Sequence, residues 1–279
     1  MRCNFPPAGT PVDCAFSGGA DSTSLLVLAK RHGLVVTAHH VDHGLRPSSS
    51  AEAEQAGSLA RELGIEFTLC RVTVEAGANL EARAREARRR VIPANAMTGH
   101  TADDQAETVL MRLLRGSGMD GLSAMAPGRT HPILALRRFE TEHVCQVSGL
   151  TPVSDPSNDS AVIWRNRIRS ELLPIAAEIF QRDVVPILTR TADVLRDDAA
   201  LLDELADTLD PTDAQAIAAA PVPLARRALR RWLTVGGYPP DAAAVERVLA
   251  VARGSQVACE ISPGIRVQRT HQRLRFEPT

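Results

Sequence analysis

Residues 12–22 read Val-Asp-Cys-Ala-Phe-Ser-Gly-Gly-Ala-Asp-Ser, and the fold is decided by what this stretch can form. Val12 to Phe16 is a short apolar run of strand type. Ser17-Gly18-Gly19 is a turn, and Asp21 opens an apolar helix that runs to about His32. A strand, a glycine turn and a helix in that order make a cradle for phosphate. Glycine lets backbone N–H groups approach oxygen atoms closely, and the helix start presents the positive end of its dipole. Ser17 and Ser22 add hydroxyl donors. Asp21 repels an anion, so its expected task is to hold a magnesium ion that bridges phosphates. The Gly-Lys-Ser/Thr ending of a Walker loop is absent. A plain capped turn is the competing reading, and the six-residue string in this context argues against it.

Working outward, strands are expected at 35–41 and 65–74, with a short fourth at Met97-Thr98. Helices are expected at 51–63, 81–90 and 103–114. Such alternation predicts βαβ units and a parallel sheet. Ser17–Ser22, Asp42-His43-Gly44 and Gly99-His100 then share the carboxyl rim of the strands, where ligands bind. From Trp164 the period is helical through about 164–180, 183–206, 222–234 and 241–253, followed by three β-like stretches near 257–261, 264–269 and 272–276. The expected class is therefore α/β. A parallel-sheet nucleotide-binding domain with a helical extension covers 1–205, and a smaller, mainly helical α+β domain covers 206–279.

Composition narrows the function classes. Hydrophobic residues are 44% and charged residues 23%, which excludes a disordered chain. The formal net charge is −1, so nucleic acid would be held by local patches only. Lys30 is the only lysine, and the basic residues are otherwise arginine. They cluster at Arg83 to Arg90, at Arg165, Arg167 and Arg169, and at Arg226, Arg227, Arg230 and Arg231. Arginine suits phosphate and carboxylate alike. Cys3, Cys14, Cys70, Cys145 and Cys259 are too far apart in sequence for a local zinc, iron–sulfur or redox pair. Widely spaced thiols, no signal peptide and no apolar run near the ~20 residues of a membrane span predict a cytoplasmic protein with no membrane partner.

Further strings point the same way. Val41-Asp42-His43-Gly44-Leu45-Arg46 follows the second strand. His100-Thr101-Ala102-Asp103-Asp104-Gln105-Ala106-Glu107-Thr108 opens a helix that ends in Arg112-Leu113-Leu114-Arg115-Gly116-Ser117-Gly118. Asp155-Pro156-Ser157-Asn158 and Arg165-Asn166-Arg167-Ile168-Arg169 come later. The loop resembles the PP-loop of the ATP pyrophosphatase superfamily (adenine nucleotide α-hydrolase-like). Together the strings resemble the tRNA(Ile)-lysidine synthases, from about residue 12 to 180 and more loosely to the end.

The resemblance implies that ATP, with magnesium through Asp21, is held by Ser17, Gly18, Gly19, Ala20, Asp21, Ser22 and His100. It implies that L-lysine is held by Asp104 and Glu107, which share a helical face. Asp21, Asp104, Glu107 and Arg88 would be catalytic. Arg85, Arg88, Arg165, Arg169, Arg226 and Arg227 would meet a tRNA(Ile) with a CAU anticodon. Without the resemblance, the acids fit a solvated first turn and Arg83 and Glu86 fit a solvated helix face. The oligomeric state stays open, a homodimer included.

Some positions depart from the family pattern. The 90–99 segment is shortened, Arg89 replaces a common Tyr, and His131-Pro132 replaces Arg-Pro. The chain ends where longer relatives continue into a further domain. Two other readings compete: a PP-loop tRNA thiolase, disfavoured by the lack of paired cysteines, and a non-catalytic RNA-binding relative, disfavoured by intact Asp21, Asp104 and Glu107.

Overall fold

The computed structural model describes residues 2–44, 49–73, 80–153, 164–234 and 239–278, the side chains of 80–82, 84, 85 and 278 excepted. Leu45-Arg46, Asp155 to Asn158 and the Arg85 side chain lie outside the described residues. The chain divides into two compact units, Met1–Asp193 and Val194–Thr279.

In the first unit, β1 (Pro11–Ala15), α1 (Ala20–Arg31), β2 (Val35–Asp42), α2 (Ser49–Glu62), β3 (Glu66–Arg71) and α3 (Leu80–Val91) follow in order. The three strands are parallel in the order β1-β2-β3. The segment after α3 returns to the other edge of β1. There it is reduced to Met97, which pairs with Cys14 in a parallel bridge, the Ala15 N–H donating to Met97 O at 2.8 Å and the Met97 N–H to Asp13 O at 2.8 Å. The expected fourth strand is thus one residue of ladder. Its presence still sets the topology, because β2 and Met97 flank β1 on opposite sides. That reversal opens a crevice at the carboxyl end of β1, the place where doubly wound sheets bind ligands.

The core beneath the crevice is aliphatic: Val12, Cys14, Leu25, Leu26, Val36, Ala38, Met97 and Ile133 are buried. Small side chains on α1 and α2 let both helices lie close to the sheet, as the 3% aromatic content requires. Beyond Met97 come α4 (Ala102–Leu114), the single turn α5 (Met119–Leu122) and α6 (Arg138–Val147). The sequence periodicity does not announce α6, which packs on α1. Next, α7 (Trp164–Arg167) runs through a π-helical turn, Ile168–Leu172, into α8 (Leu173–Phe180), and α9 (Val185–Asp207) crosses the unit boundary.

The second unit holds α10 (Ala214–Ala219), α11 (Val222–Trp232), α12 (Ala242–Ala252) and the antiparallel sheet β4 (Ala258–Ser262), β5 (Ile265–Thr270), β6 (Arg273–Pro278). Its own core gathers Ile217, Leu229, Val245, Val248, Leu249, Val267 and Leu274. The first unit is thus built on a parallel sheet, and the second is a small domain of helices and an antiparallel sheet.

Candidate active site

The Ser17–Ser22 loop is held open by its own backbone. Gly18 takes φ +86°, where only glycine is unstrained, and a side chain there would lie 2.7 Å from Val153 Cγ2. Gly18 O accepts from the Val153 N–H at 2.9 Å and from the Thr23 hydroxyl at 3.1 Å. The Ser22 hydroxyl donates to Gly19 O at 3.0 Å and lies 3.1 Å from Ser17 Oγ. No side chain caps α1 at Gly19. The amides of its first turn, Ala20 included, therefore remain available to an anion. Gly99 closes the other wall of the crevice: a Cβ there would be 2.8 Å from the Asp21 carbonyl carbon. Only glycine lets the Met97 segment lie this close to the loop.

The first turn of α4 faces that wall. Asp104 Oδ2 accepts from the Thr101 N–H at 2.8 Å and its hydroxyl at 2.9 Å, the return arm of a capping box. That fixes the carboxylate and turns Oδ1 toward Arg165 Nη2 at 3.0 Å and Arg138 Nη2 at 3.2 Å. Glu107, one turn on, is fully buried. Its Oε2 accepts from Arg165 Nε at 2.6 Å and its Oε1 from Arg169 Nε at 2.7 Å, with Arg138 at 3.4 Å. Burial alone would raise the Asp104 pKa, but Arg165, Arg138 and the Thr101 amide hold it below the ordinary carboxylate value. The pair is not the solvated turn that its helical position also allowed. Beside Glu107 opens a recess of about 200 Å³, bordered by Asp103, Arg137, Arg138, Arg169 and Asp183.

Asp21 joins the two halves. Its Oδ1 accepts from the Thr141 hydroxyl, and its Oδ2 lies 3.6 Å from Arg138 Nε. Burial pushes the Asp21 pKa up, Thr141 opposes this, and the Asp104 charge adds to the rise. Arg138 thus touches Asp21, Asp104 and Glu107 at once, and its site is the first residue of α6. Asp103 clamps that helix start, accepting from Arg138 N–H at 2.8 Å and Arg137 Nε at 3.0 Å. Arg138 and Thr141 were not among the residues singled out from sequence. The one signal available was Arg137-Arg138 followed by Glu140, a helix-start pattern that names no role. Glu140 indeed accepts from the Arg137 N–H at 2.8 Å.

His100 lies between the loop wall and α4. Its Nδ1 is 2.7 Å from Thr98 Oγ1, which is also 2.7 Å from His131 Nδ1. Burial lowers the pKa of His131, which stands where the family pattern often has Arg. Arg88 is exposed on α3, and its charge reaches His40 and His43 at the end of β2. Both ring nitrogens of His43, and Nε and Nη2 of Arg83, are buried without a hydrogen-bond partner among the described residues. The solvated reading of Arg83 is therefore corrected: part of its guanidinium is enclosed.

The expected RNA-facing arginines separate into two groups. Arg165 and Arg169 are drawn onto Asp104 and Glu107, while Arg167 pairs with Glu171 on the outside of the same helix. In the second unit, Arg226 pairs with Glu246, Arg227 and Arg231 with Asp203, and Arg231 also with Asp207. Three arginines on α11 are thus partly neutralised by acids of α9 and α12.

Comparison with known proteins places this geometry. A family profile described as "PP-loop domain" matches residues 8–176, and one described as "TilS substrate binding domain" matches 213–275. A protein of Nocardia farcinica named tRNA(Ile)-lysidine synthase is 42% identical, over 84% of this chain and 79% of its own. Namesakes from Thermobifida fusca and Leifsonia xyli are each 38% identical, over 88% and 97% of this chain and 84% and 90% of their own. The solved U34-tRNA thiolase NcsA from Methanococcus maripaludis shares the fold, with a TM-score of 0.56 over 68% of this chain and 73% of its own at 17% identity. An anion cradle, a buried acidic pair and two matching domain profiles agree with the sequence likeness: the chain belongs to the tRNA(Ile)-lysidine synthase family.

Proposed function

We propose that the protein is a ligase that joins L-lysine to C2 of the wobble cytidine in the CAU anticodon of tRNA(Ile), using ATP and releasing AMP and pyrophosphate. The observation that carries this reading is the junction at Arg138. One guanidinium links a carboxylate on the anion-binding loop to a buried acidic pair on α4. An anion site for a nucleotide and a cation-selecting site for an amine therefore share one crevice.

The reaction needs both. The C2 oxygen of cytidine attacks the α-phosphorus of ATP and pyrophosphate leaves. The lysine amine, having lost a proton, then attacks C2, and the C2–O bond breaks with AMP as leaving group. An oxide could not leave in its place. Loop amides and the Ser17 and Ser22 hydroxyls hold the phosphates, and His100 borders the nucleotide. Asp21 is the single carboxylate offered by the loop, which suits magnesium, an ion that keeps waters and phosphate oxygens as its other ligands. Magnesium would neutralise charge on the departing pyrophosphate. Asp104 and Glu107 bind lysine. Arg85, Arg88, Arg165, Arg169, Arg226 and Arg227 meet the RNA backbone, which makes binding salt-sensitive. A tRNA substrate and ATP place the work in the cytoplasm.

Incubation with ATP, radiolabelled lysine and a tRNA(Ile) transcript bearing CAU tests the reading. Label is expected in the RNA; folded protein that transfers none overturns it. Asp21→Asn should reduce pyrophosphate release by about 100-fold, a loss typical of removing a charge-stabilising group. It should not weaken the fold. An acid whose folded pKa is raised costs stability above its unfolded value, and the amide removes that cost. Retention of the wild-type rate would end the magnesium assignment.

A further inference from the structure

At the start of α7 one large apolar side chain is turned to solvent. We infer that this residue, Trp164, is the stacking platform for an unpaired base of the tRNA anticodon loop, the neighbour of the cytidine that reacts. This rests on the function proposed above and deepens it, naming a base contact where only backbone contacts were assigned.

Aromatic side chains are scarce in this chain, with two Trp, one Tyr and six Phe. Tryptophan is highly buried on average. Trp232 follows that rule: it packs on the core of the second unit and on Phe276, with ring centroids 4.5 Å apart. Trp164 is 70% exposed and makes no ring or cation contact among the described residues. The exposed phenylalanines are placed differently. Phe139 is covered by the Arg137 guanidinium at 5.7 Å from its ring, Phe276 lies against Trp232, and Phe180 sits at the far end of α8. Trp164 alone among them combines an open ring with a place next to the acidic pair.

That place follows from the chain. Trp164 directly precedes Arg165, about 3.8 Å away between Cα atoms. Arg165 Nε meets Glu107 Oε2 at 2.6 Å, and its Nη2 meets Asp104 Oδ1 at 3.0 Å. The cytidine has to come to these acids, because the lysine they hold attacks its C2. The bases on either side of it arrive with it. To react, the cytidine leaves the stack of the loop, and a neighbour loses the face it rested on. An open indole replaces that face for any base, since every base has a π surface. Proteins that read single-stranded RNA loops use aromatic rings in this way.

The arginines of the segment do not fill the same role. Arg165 and Arg169 are engaged by Asp104 and Glu107, and Arg167 by Glu171. Residues 164–169 therefore carry less free positive charge than their sequence suggests. Stacking adds affinity there without calling on a paired guanidinium.

The test is binding of the CAU tRNA(Ile) transcript to the full chain, without ATP, by filter binding. Trp164→Ala should bind about ten-fold more weakly than wild type, within the range for one lost stacked base. Its salt slope should equal that of wild type, because no phosphate contact is removed. Trp164→Phe keeps a ring and should stay within about three-fold of wild type. A transcript lacking the base on one side of the wobble cytidine should bind wild type as weakly as Trp164→Ala binds the intact RNA. On that transcript Trp164→Ala should cost less than about two-fold, since ring and base act as a pair. The fluorescence of Trp164, read in a Trp232→Phe chain, should be quenched by the transcript and not by ATP alone. If Trp232→Phe fails to fold, loss of the RNA-induced quench in Trp164→Phe gives the same reading.

Trp164→Ala that binds RNA within about two-fold of wild type overturns the inference. So does a lowered salt slope, or a loss that Trp164→Phe shares in full. A Trp164→Ala chain whose oligomeric state differs from wild type puts the indole between copies of the chain and overturns it too. Quenching by ATP alone gives the ring to adenine, with the same result. If label transfer succeeds while Trp164→Ala binds RNA normally, the stacking contact falls and the proposed function stands. If wild type neither binds the transcript nor transfers label, both fall.

Discussion

Arginine meets carboxylate in two regions of this chain, and the surroundings differ. At α4, Glu107 is fully buried and Asp104 nearly so, and their partners Arg138, Arg165 and Arg169 come from two distant stretches of sequence. On α11, Arg226 and Arg231 are about half exposed and pair with acids that are themselves exposed. The chemistry of the pairs is the same. Burial separates them, because removing the enclosed carboxylate leaves guanidinia that are themselves mostly buried short of a partner, whereas a solvated pair is replaced by hydration at little cost.

The sharpest way to break this contrast is Glu107→Gln. It should lower unfolding free energy by about 3 kcal/mol, as expected when one partner of a buried ion group is removed. Urea denaturation measures it, and a midpoint equal to wild type would mean that the α4 group is no more coupled than a surface pair. Asp104→Asn sharpens the contrast through pH. Burial would raise this pKa, but Arg165 and Arg138 hold the folded value below 3.8. The carboxylate therefore stabilises the fold fully above the ordinary range, and that contribution is lost as pH falls through the folded value. The stability gap between wild type and variant should be widest near neutrality and shrink as pH falls below 3.8. A gap independent of pH would show that the lost side chain, not its charge, matters. The smallest effect belongs to α11: Arg231→Gln should change stability by no more than about 0.5 kcal/mol, and salt should reduce even that. A larger loss would place Arg231 in the buried class.

How much of the site was legible in the sequence follows the same division. The Ser17–Ser22 cradle was readable because all its parts are local: a strand end, two glycines and a helix start within six residues. Asp104 and Glu107 were readable as a pair because helical spacing puts them on one face. Their burial was not, since it depends on what lies opposite. Arg138 and Thr141 went unnoticed because α6 shows no periodic signature and its residues matter only through contacts more than thirty positions away, such as Arg138 to Glu107. His43 and Arg83 show the converse. Their types fit an exposed rim or helix face, and only the packed structure shows that their nitrogens are enclosed.

The sequence by itself determined that a glycine turn joins β1 to a helix, that parallel βαβ units put this turn at the carboxyl end of a strand, and that a smaller domain follows. These rest on periods and spacings of a few residues, which the backbone converts directly into geometry. Only the tertiary structure decided which charges meet. Met97 pairs on the far edge of β1 and Gly99 packs against Asp21, so α4 faces the loop, and α6 and the 164–172 helix bring Arg138, Arg165 and Arg169 onto Asp104 and Glu107. Partners so far apart along the chain have no period to betray them; the balance of charge in a buried space is what selects them.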